Sequence, residues 1–279
     1  MLFRSIKSAD ENLAAVLTAL EQRNARGTTD VFVVSDHGFS TIERSIDLRK
    51  TLNDAGFTAK TELEGEPKPG EIVLAGNGGS ILFYIIGHER TITHRLVEFL
   101  QQSDFAGVIF TKDPMQGTFG LAQVNMNVPE GKHVPDVVMA FRWNDSKNQF
   151  GIPGMIDADW QRAAGKGTHV TLSRFDMHNT LIAAGPDFRR GETDDLPTGN
   201  IDLAPTILQI LGIKPPQPMS GRILFEAMAN LKTPAAKAET KTIEAANHFP
   251  SGTWKQSLRI SRVGSTAYLD EGAGAFTPR

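Results

Sequence analysis

Two helix–strand units, set near opposite ends of the chain, limit what it can fold into. In residues 5–24, Ile6, Leu13, Val16, Leu17 and Leu20 recur at helical spacing, and Gly27 marks a stop. The run VFVV at 31–34 is continuously apolar and β-branched, which predicts a strand buried on both faces in a parallel sheet. The pair recurs later in the reverse order. NTLIAAGP at 179–186 reads as a buried strand closed by Gly185-Pro186. A helix follows over 200–213, with Asn200 or Asp202 at its start, Pro205 in its first turn and Gly212 near its end. The strand that would precede the first helix in a βαβ unit is not in the sequence.

Between these units lies a long excursion. EIVLAG (71–76), SILFYII (80–86), GVIFT (107–111) and DVVMAF (136–141) read as strands, 92–103 as a helix and 61–70 as a charged Pro/Gly turn. The expected organisation is an α/β core of residues 1–40 and 165–230 and an inserted α+β subdomain of residues 41–164. A C-terminal segment, 231–279, completes it. Within that segment, 231–247 is either a helix or a loose linker, and 257–270 alternates around Gly264 like a hairpin.

Composition removes several function classes. Of the 279 residues 29 are basic and 32 acidic, a net charge of −3 that gives no general attraction to nucleic acid or anionic membrane. With no cysteine, a disulfide, a thiolate metal site and a cysteine nucleophile are all excluded, and the compartment stays open. No run approaches the roughly 18 apolar residues that span a bilayer. The first residues lack the apolar stretch of a secretory signal.

The chemistry concentrates where strands should end. In VFVVSDHGFSTI, Asp36 and His37 follow an apolar strand, at the edge where open α/β sheets bind ligands. Carboxylate and imidazole suit zinc and similar divalent ions. Neighbours on a strand point to opposite faces, so these two can share an ion only where the chain leaves the strand, and Gly38 permits a sharp exit. A plainer reading makes Asp36 a turn cap and His37 a satisfied polar neighbour. A second candidate is His169, in the Gly-rich stretch AAGKGTHVTLS. His88, His94, His133, His178 and His248 show no metal-ligand spacing. Asn77-Gly78-Gly79-Ser80 reads as a hairpin turn before a phosphate cradle. Phe83, Tyr84, Phe141 and Trp143 read as strand core before nucleobase stackers. No Walker loop or dinucleotide fingerprint appears.

Taken together, VVSDHGFS, the long insertion, KGTHVTLSRFDMHNTLIAAGPDFRRG, NIDLAPTILQILGI and MSGRIL resemble the alkaline phosphatase superfamily, and within it the type I phosphodiesterase/nucleotide pyrophosphatase-like proteins. The resemblance runs from about residue 5 to 225. It implies an alkaline-phosphatase-like α/β sheet with flanking helices, its core incomplete at the N-terminus. It also implies hydrolysis of phosphoric esters at two zinc ions, Asp36 and His37 binding one and His169 the other. A phosphate ester or nucleotide is the implied substrate, and the periplasm or the exterior the implied location.

Two departures accompany the resemblance. The family's G-x-H-G motif has Val170 in place of its last glycine, which is read as a backbone convenience. The family's early Thr or Ser nucleophile has no counterpart ahead of Ser35, and neither Ser35 nor Thr168 occupies its position. The chain therefore resembles the C-terminal part of a longer enzyme, and a catalytic reading stands beside one of a non-catalytic fragment or subunit needing a separate N-terminal half. A metal-free α/β binding domain, with Asp36, His37 and His169 structural, is a third. Metal binding separates the third reading from the other two, and activity of the chain by itself separates the first from the second.

Overall fold

The computed structural model describes residues 2–63, 65–121, 134–229 and 236–279, so His133 and residues 230–235 lie outside the described residues. In chain order the elements are α1 (Leu2–Gln22), β1 (Val31–Val34), β2 (Ser40–Ile46), α2 (Leu48–Asp54), β3 (Ala59–Lys60), β4 (Ile72–Gly76) and β5 (Ser80–Ile85). Then come α3 (Arg90–Gln101), β6 (Ala106–Thr111), β7 (Phe119–Gly120), β8 (Val137–Phe141), β9 (Trp143–Lys147), β10 (Pro153–Asp159) and β11 (Gly167–Thr168). The last are α4 (Arg174–Met177), β12 (Leu181–Ala184), α5 (Leu203–Ile210), β13 (Ala238–Phe249), β14 (Gly252–Val263) and β15 (Thr266–Pro278). This is a mixed α/β chain with several sheets and flanking helices, compatible with an alkaline-phosphatase-like fold. Contacts divide it into two compact units: Met1–Asp36 with Thr180–Glu239 and Arg262–Tyr268, and His37–Asn179 with Thr240–Ser261 and Leu269–Arg279.

In the first unit β1 pairs with β12, and the pairing corrects the sequence expectation. The two strands run antiparallel, Val31 opposite Ala184 and Val34 opposite Leu181, as a two-stranded sheet. A ladder with a single neighbour covers only part of each face: Val33 and Val34 are 36% and 43% exposed, and Ile182 57%. Phe32 instead packs edge-on against Phe188, with ring centroids 5.2 Å apart, and Phe188, Leu224 and Met228 are buried.

Asp202, fully buried at the start of α5, is the polar hub of this unit. Its Oδ1 accepts from the Arg222 amide at 2.7 Å, and its Oδ2 accepts from the Gly199 amide at 2.9 Å and the Tyr268 hydroxyl at 2.8 Å. The Tyr268 oxygen in turn accepts from Arg222 Nε at 3.0 Å. Burial, reinforced by the Asp202 carboxylate, raises the Tyr268 pKa well above the ordinary phenol range. In the unfolded chain that phenol ionises near pH ~10. Its folded pKa is higher, so its contribution to stability is whole below that pH and declines as pH rises beyond it. In a Tyr84→Phe variant, which leaves Tyr268 as the one tyrosine, phenolate absorbance should appear only as the unit unfolds. A normal phenol titration in the folded protein would refute this.

The second unit holds a six-stranded sheet in the order β3-β4-β5-β8-β6-β7, antiparallel except for the parallel edge pairs β3–β4 and β6–β7. α3 presents Leu96, Val97 and Leu100 to a core that includes Ile72, Ile81, Phe83, Ile109 and Phe141. A four-stranded sheet, β11-β2-β10-β9, carries the parallel pair β2–β10 and hangs β11 antiparallel on β2. The hairpin expected around Gly264 forms between β14 and β15. By contrast, from 238 onward the segment 231–247, expected as a helix or a loose linker, belongs to strand β13, which joins β14 and β15 in a three-stranded sheet. Pairing with β14, which begins just past a two-residue turn, overrides the helix propensity of its alanines and glutamates, as sheet context commonly does. No described helix is long and apolar enough to cross a membrane.

Candidate functional site

The expected ligands come from two short stretches, and the chain between Asp36 and His37 is where the two units divide. On the first unit's side, the end of β1 is held by backbone and amide groups. The Ser35 amide donates to the Thr180 carbonyl at 3.0 Å, and its hydroxyl oxygen accepts from the Thr180 amide at 2.9 Å. Asn200 Nδ2 donates to the carbonyls of Ser35 and Asp36 at 3.2 and 3.0 Å. Asn200 thus fixes the strand end, and the Asp36 side chain is exposed.

His37 and His169 stand together in the second unit although 132 positions separate them in the sequence. Their imidazoles stack, with centroids 3.7 Å apart and planes 16° from parallel. Phe39 closes the group, 6.4 Å from the His37 ring and 5.9 Å from that of His169. Gly167 makes room for it, since a Cβ there would stand 2.8 Å from a Phe39 ring carbon. His37 Nδ1 lies 2.6 Å from the Gly38 carbonyl. A carbonyl only accepts, so Nδ1 carries the proton and the ring lone pair is on Nε2. A hydrogen bond of this kind on one imidazole nitrogen is how protein groups orient a ligating histidine.

Gly38 and Val170 explain the chain's path here. A Cβ on Gly38 would come within 2.8 Å of the His178 carbonyl oxygen and overlap that of Phe175. Close backbone approach, not the sharp exit expected from the sequence, is what requires glycine at this position. Val170 has φ +76°, a conformation that a β-branched residue adopts only under strain. The family's glycine at this place suits the backbone conformation found here. Such strain costs ~1–3 kcal/mol, and glycine's extra unfolded-state entropy offsets part of its relief. Val170→Gly is therefore expected to stabilise the second unit by about 1 kcal/mol, read from denaturant midpoints. Destabilisation of that size would contradict the strain.

The glycine pair at 78–79 serves this loop. Gly79 donates its amide to the His169 carbonyl at 2.8 Å, and Gly78 donates to Asp159 Oδ2 at 2.8 Å. Asn77 closes the β4–β5 hairpin on Ser80. Both glycine amides are engaged within the protein, so the turn reading holds over the phosphate cradle. Phe83 and Phe141 are fully buried in the core, and Trp143 Nε1 donates to the Gly272 carbonyl at 2.7 Å. Thr168 is buried on β11 opposite Ser40.

Sequence spacing concealed two carboxylates. Asp176, 3% exposed, accepts from the Ser40 hydroxyl and from both the amide and the hydroxyl of Thr171. Asp136, 6% exposed, faces His88 Nδ1 at 2.6 Å and accepts from the Ile85 amide at 2.7 Å, with His88 at φ +53°. A cleft of about 480 Å³ in the first unit is lined by Phe32, Phe188, Arg189, Asp194 and Glu226 among others, and by none of the expected ligands. Burial raises the Asp194 pKa. Burial also pushes Glu226 upward, but the hydrogen bond and charge of Arg222, with the Glu226 backbone and Asp194, together lower its pKa.

The profile of the type I phosphodiesterase / nucleotide pyrophosphatase family matches residues 2–143, just over half of the sequence, and the chain belongs to that family. Asp36 and His37 lie inside the matched residues and His169 beyond them. No curated protein and no solved structure matches the chain. Hydrolysis of the phosphodiesterase and nucleotide pyrophosphatase kind, generally metal-dependent, is the family's chemistry. The donors fit that chemistry in part. Two imidazoles, one with its tautomer set, are donors zinc accepts. Among the described residues, no group of three or more His, Cys, Asp or Glu gathers into a cage.

Proposed function

We propose that the chain acts in zinc-dependent hydrolysis of phosphodiesters or nucleotide pyrophosphates, with Asp36 and His37 as ligands of one ion and His169 of a second. The observation that carries this reading is the stacked His37–His169 pair, with the Gly38 carbonyl holding the proton on His37 Nδ1. When bound, zinc supplies positive charge against the phosphoryl oxygens of an in-line displacement. The chain's own residues set the stage for that. Gly38 fixes the tautomer of His37, Gly79 holds the His169 carbonyl, and Phe39 shields one flank of the rings. Three donors are fewer than two tetrahedral sites take, so this reading requires further ligands beyond Asp36, His37 and His169.

Hydrolysis of bis(4-nitrophenyl) phosphate and of a dinucleoside pyrophosphate, with zinc added, tests the proposal. Activity should fall on the order of 100-fold in His37→Ala and in His169→Ala, and should vanish with chelator. Absence of hydrolysis with zinc present, or hydrolysis indifferent to chelator and to both substitutions, would contradict it.

A further inference from the structure

We infer that Asp176 is a positioning residue: it holds the His169 loop against the His37 segment and so keeps the two imidazoles stacked. This deepens the reading of His37 and His169 as ligands and rests on it for its functional meaning, but the geometry stands independently.

Four hydrogen bonds from the two histidine-bearing segments meet at Asp176. Its Oδ1 accepts from the Ser40 hydroxyl at 2.5 Å, and its Oδ2 accepts from the Thr171 amide at 3.0 Å and the Thr171 hydroxyl at 2.5 Å. Its carbonyl accepts from the Gly38 amide at 2.8 Å. Gly38 and Ser40 are one and three positions past His37, and Thr171 is two past His169. One buried side chain on α4, a single turn capped by Ser173, thus ties down both histidine-bearing segments.

The strained residue lies between its anchors. Val170, at φ +76°, has Gly79 bonded to the carbonyl before it and Asp176 bonded to the amide after it. A conformation costing ~1–3 kcal/mol persists only where neighbouring bonds hold it. Removing Asp176 releases one of the two holds, leaves three donors without their acceptor, and lets Val170 relax, carrying His169 away from His37. The role is geometric rather than one of charge. An asparagine can offer its oxygen to Thr171 and its amide to the Ser40 oxygen, so Asp176→Asn should keep the arrangement where Asp176→Leu loses it.

The test is the inter-ring nuclear Overhauser contact between His37 and His169, measured with titration by zinc alone. Wild type and Asp176→Asn should show the contact. Asp176→Leu, with its secondary structure intact, should lose it and bind zinc roughly 10–100-fold more weakly. Val170→Gly added to Asp176→Leu should restore part of the contact. A folded Asp176→Leu with the contact and the zinc affinity of wild type overturns the inference. Should Asp176→Leu fail to fold, Thr171→Val decides: it keeps shape and amide but removes one donor, and an undiminished contact overturns the inference. A wild type that shows the contact but binds no zinc defeats the ligand reading, and the contact in the variants then judges Asp176 alone.

Discussion

Trp254→Ala is expected to lower the stability of the second unit by about 3–5 kcal/mol, the usual cost of deleting a buried aromatic. Trp254 is fully buried in the cluster that contains Phe83, Phe141, Ile109 and Leu100. Its Nε1 donates to the Gly117 carbonyl at 3.0 Å, a bond that would be lost with its cavity-filling ring. Two residues on, Gln256 exchanges two hydrogen bonds with the Ile109 backbone, at 2.7 and 3.1 Å. β14 is therefore part of the core of this unit and no appendage. A loss this large is a substantial fraction of a domain's total stability. The urea midpoint should fall without a change of slope. A variant within ~0.5 kcal/mol of wild type would show that the C-terminal strands do not pack as described.

Asp202→Ala is expected to cost the first unit about 3 kcal/mol, from three lost hydrogen bonds and the desolvated donors they leave. The donors are the Arg222 and Gly199 amides and the Tyr268 hydroxyl. Arg222 is also tied to Glu226 and to the Pro197 carbonyl, so the loss spreads through one connected network. Asp202→Asn should cost less, because its amide oxygen still accepts. Limited proteolysis should cut the alanine variant first within 180–239. Equal resistance of the alanine variant and wild type would remove Asp202 from its central place.

Periodicity and apolar runs disclosed α1, β1, β4, β5, α3, β6, β8, β12 and the α5 region, because each carries its own pattern. They did not disclose how β1 is paired. Four apolar residues look the same in a central parallel strand and in a two-stranded antiparallel ladder. β2 and β10 escaped as well. STIERSI and PGMIDAD are half polar, and they become strands by pairing with each other across more than a hundred residues. In β10 the polar residue Asp157 is buried because Arg44 and Arg142 reach it, a compensation that local pattern does not carry. Of the candidate site, the motif order singled out Asp36, His37 and His169 as the proposed ligands. The stacking of the two rings and the clamp at Asp176 were not, since both depend on segments brought together by folding. The motif's missing glycine was legible as a departure, and its meaning became physical only with the positive φ of Val170.

Zinc bound per chain, determined by elemental analysis of protein purified without chelator, tests the central claim most directly. The account predicts about two ions for the wild-type chain, as two-metal phosphoryl-transfer sites hold, and clear losses in Asp36→Ala, His37→Ala and His169→Ala. Wild-type protein without zinc, or zinc content unchanged by all three substitutions, would contradict it.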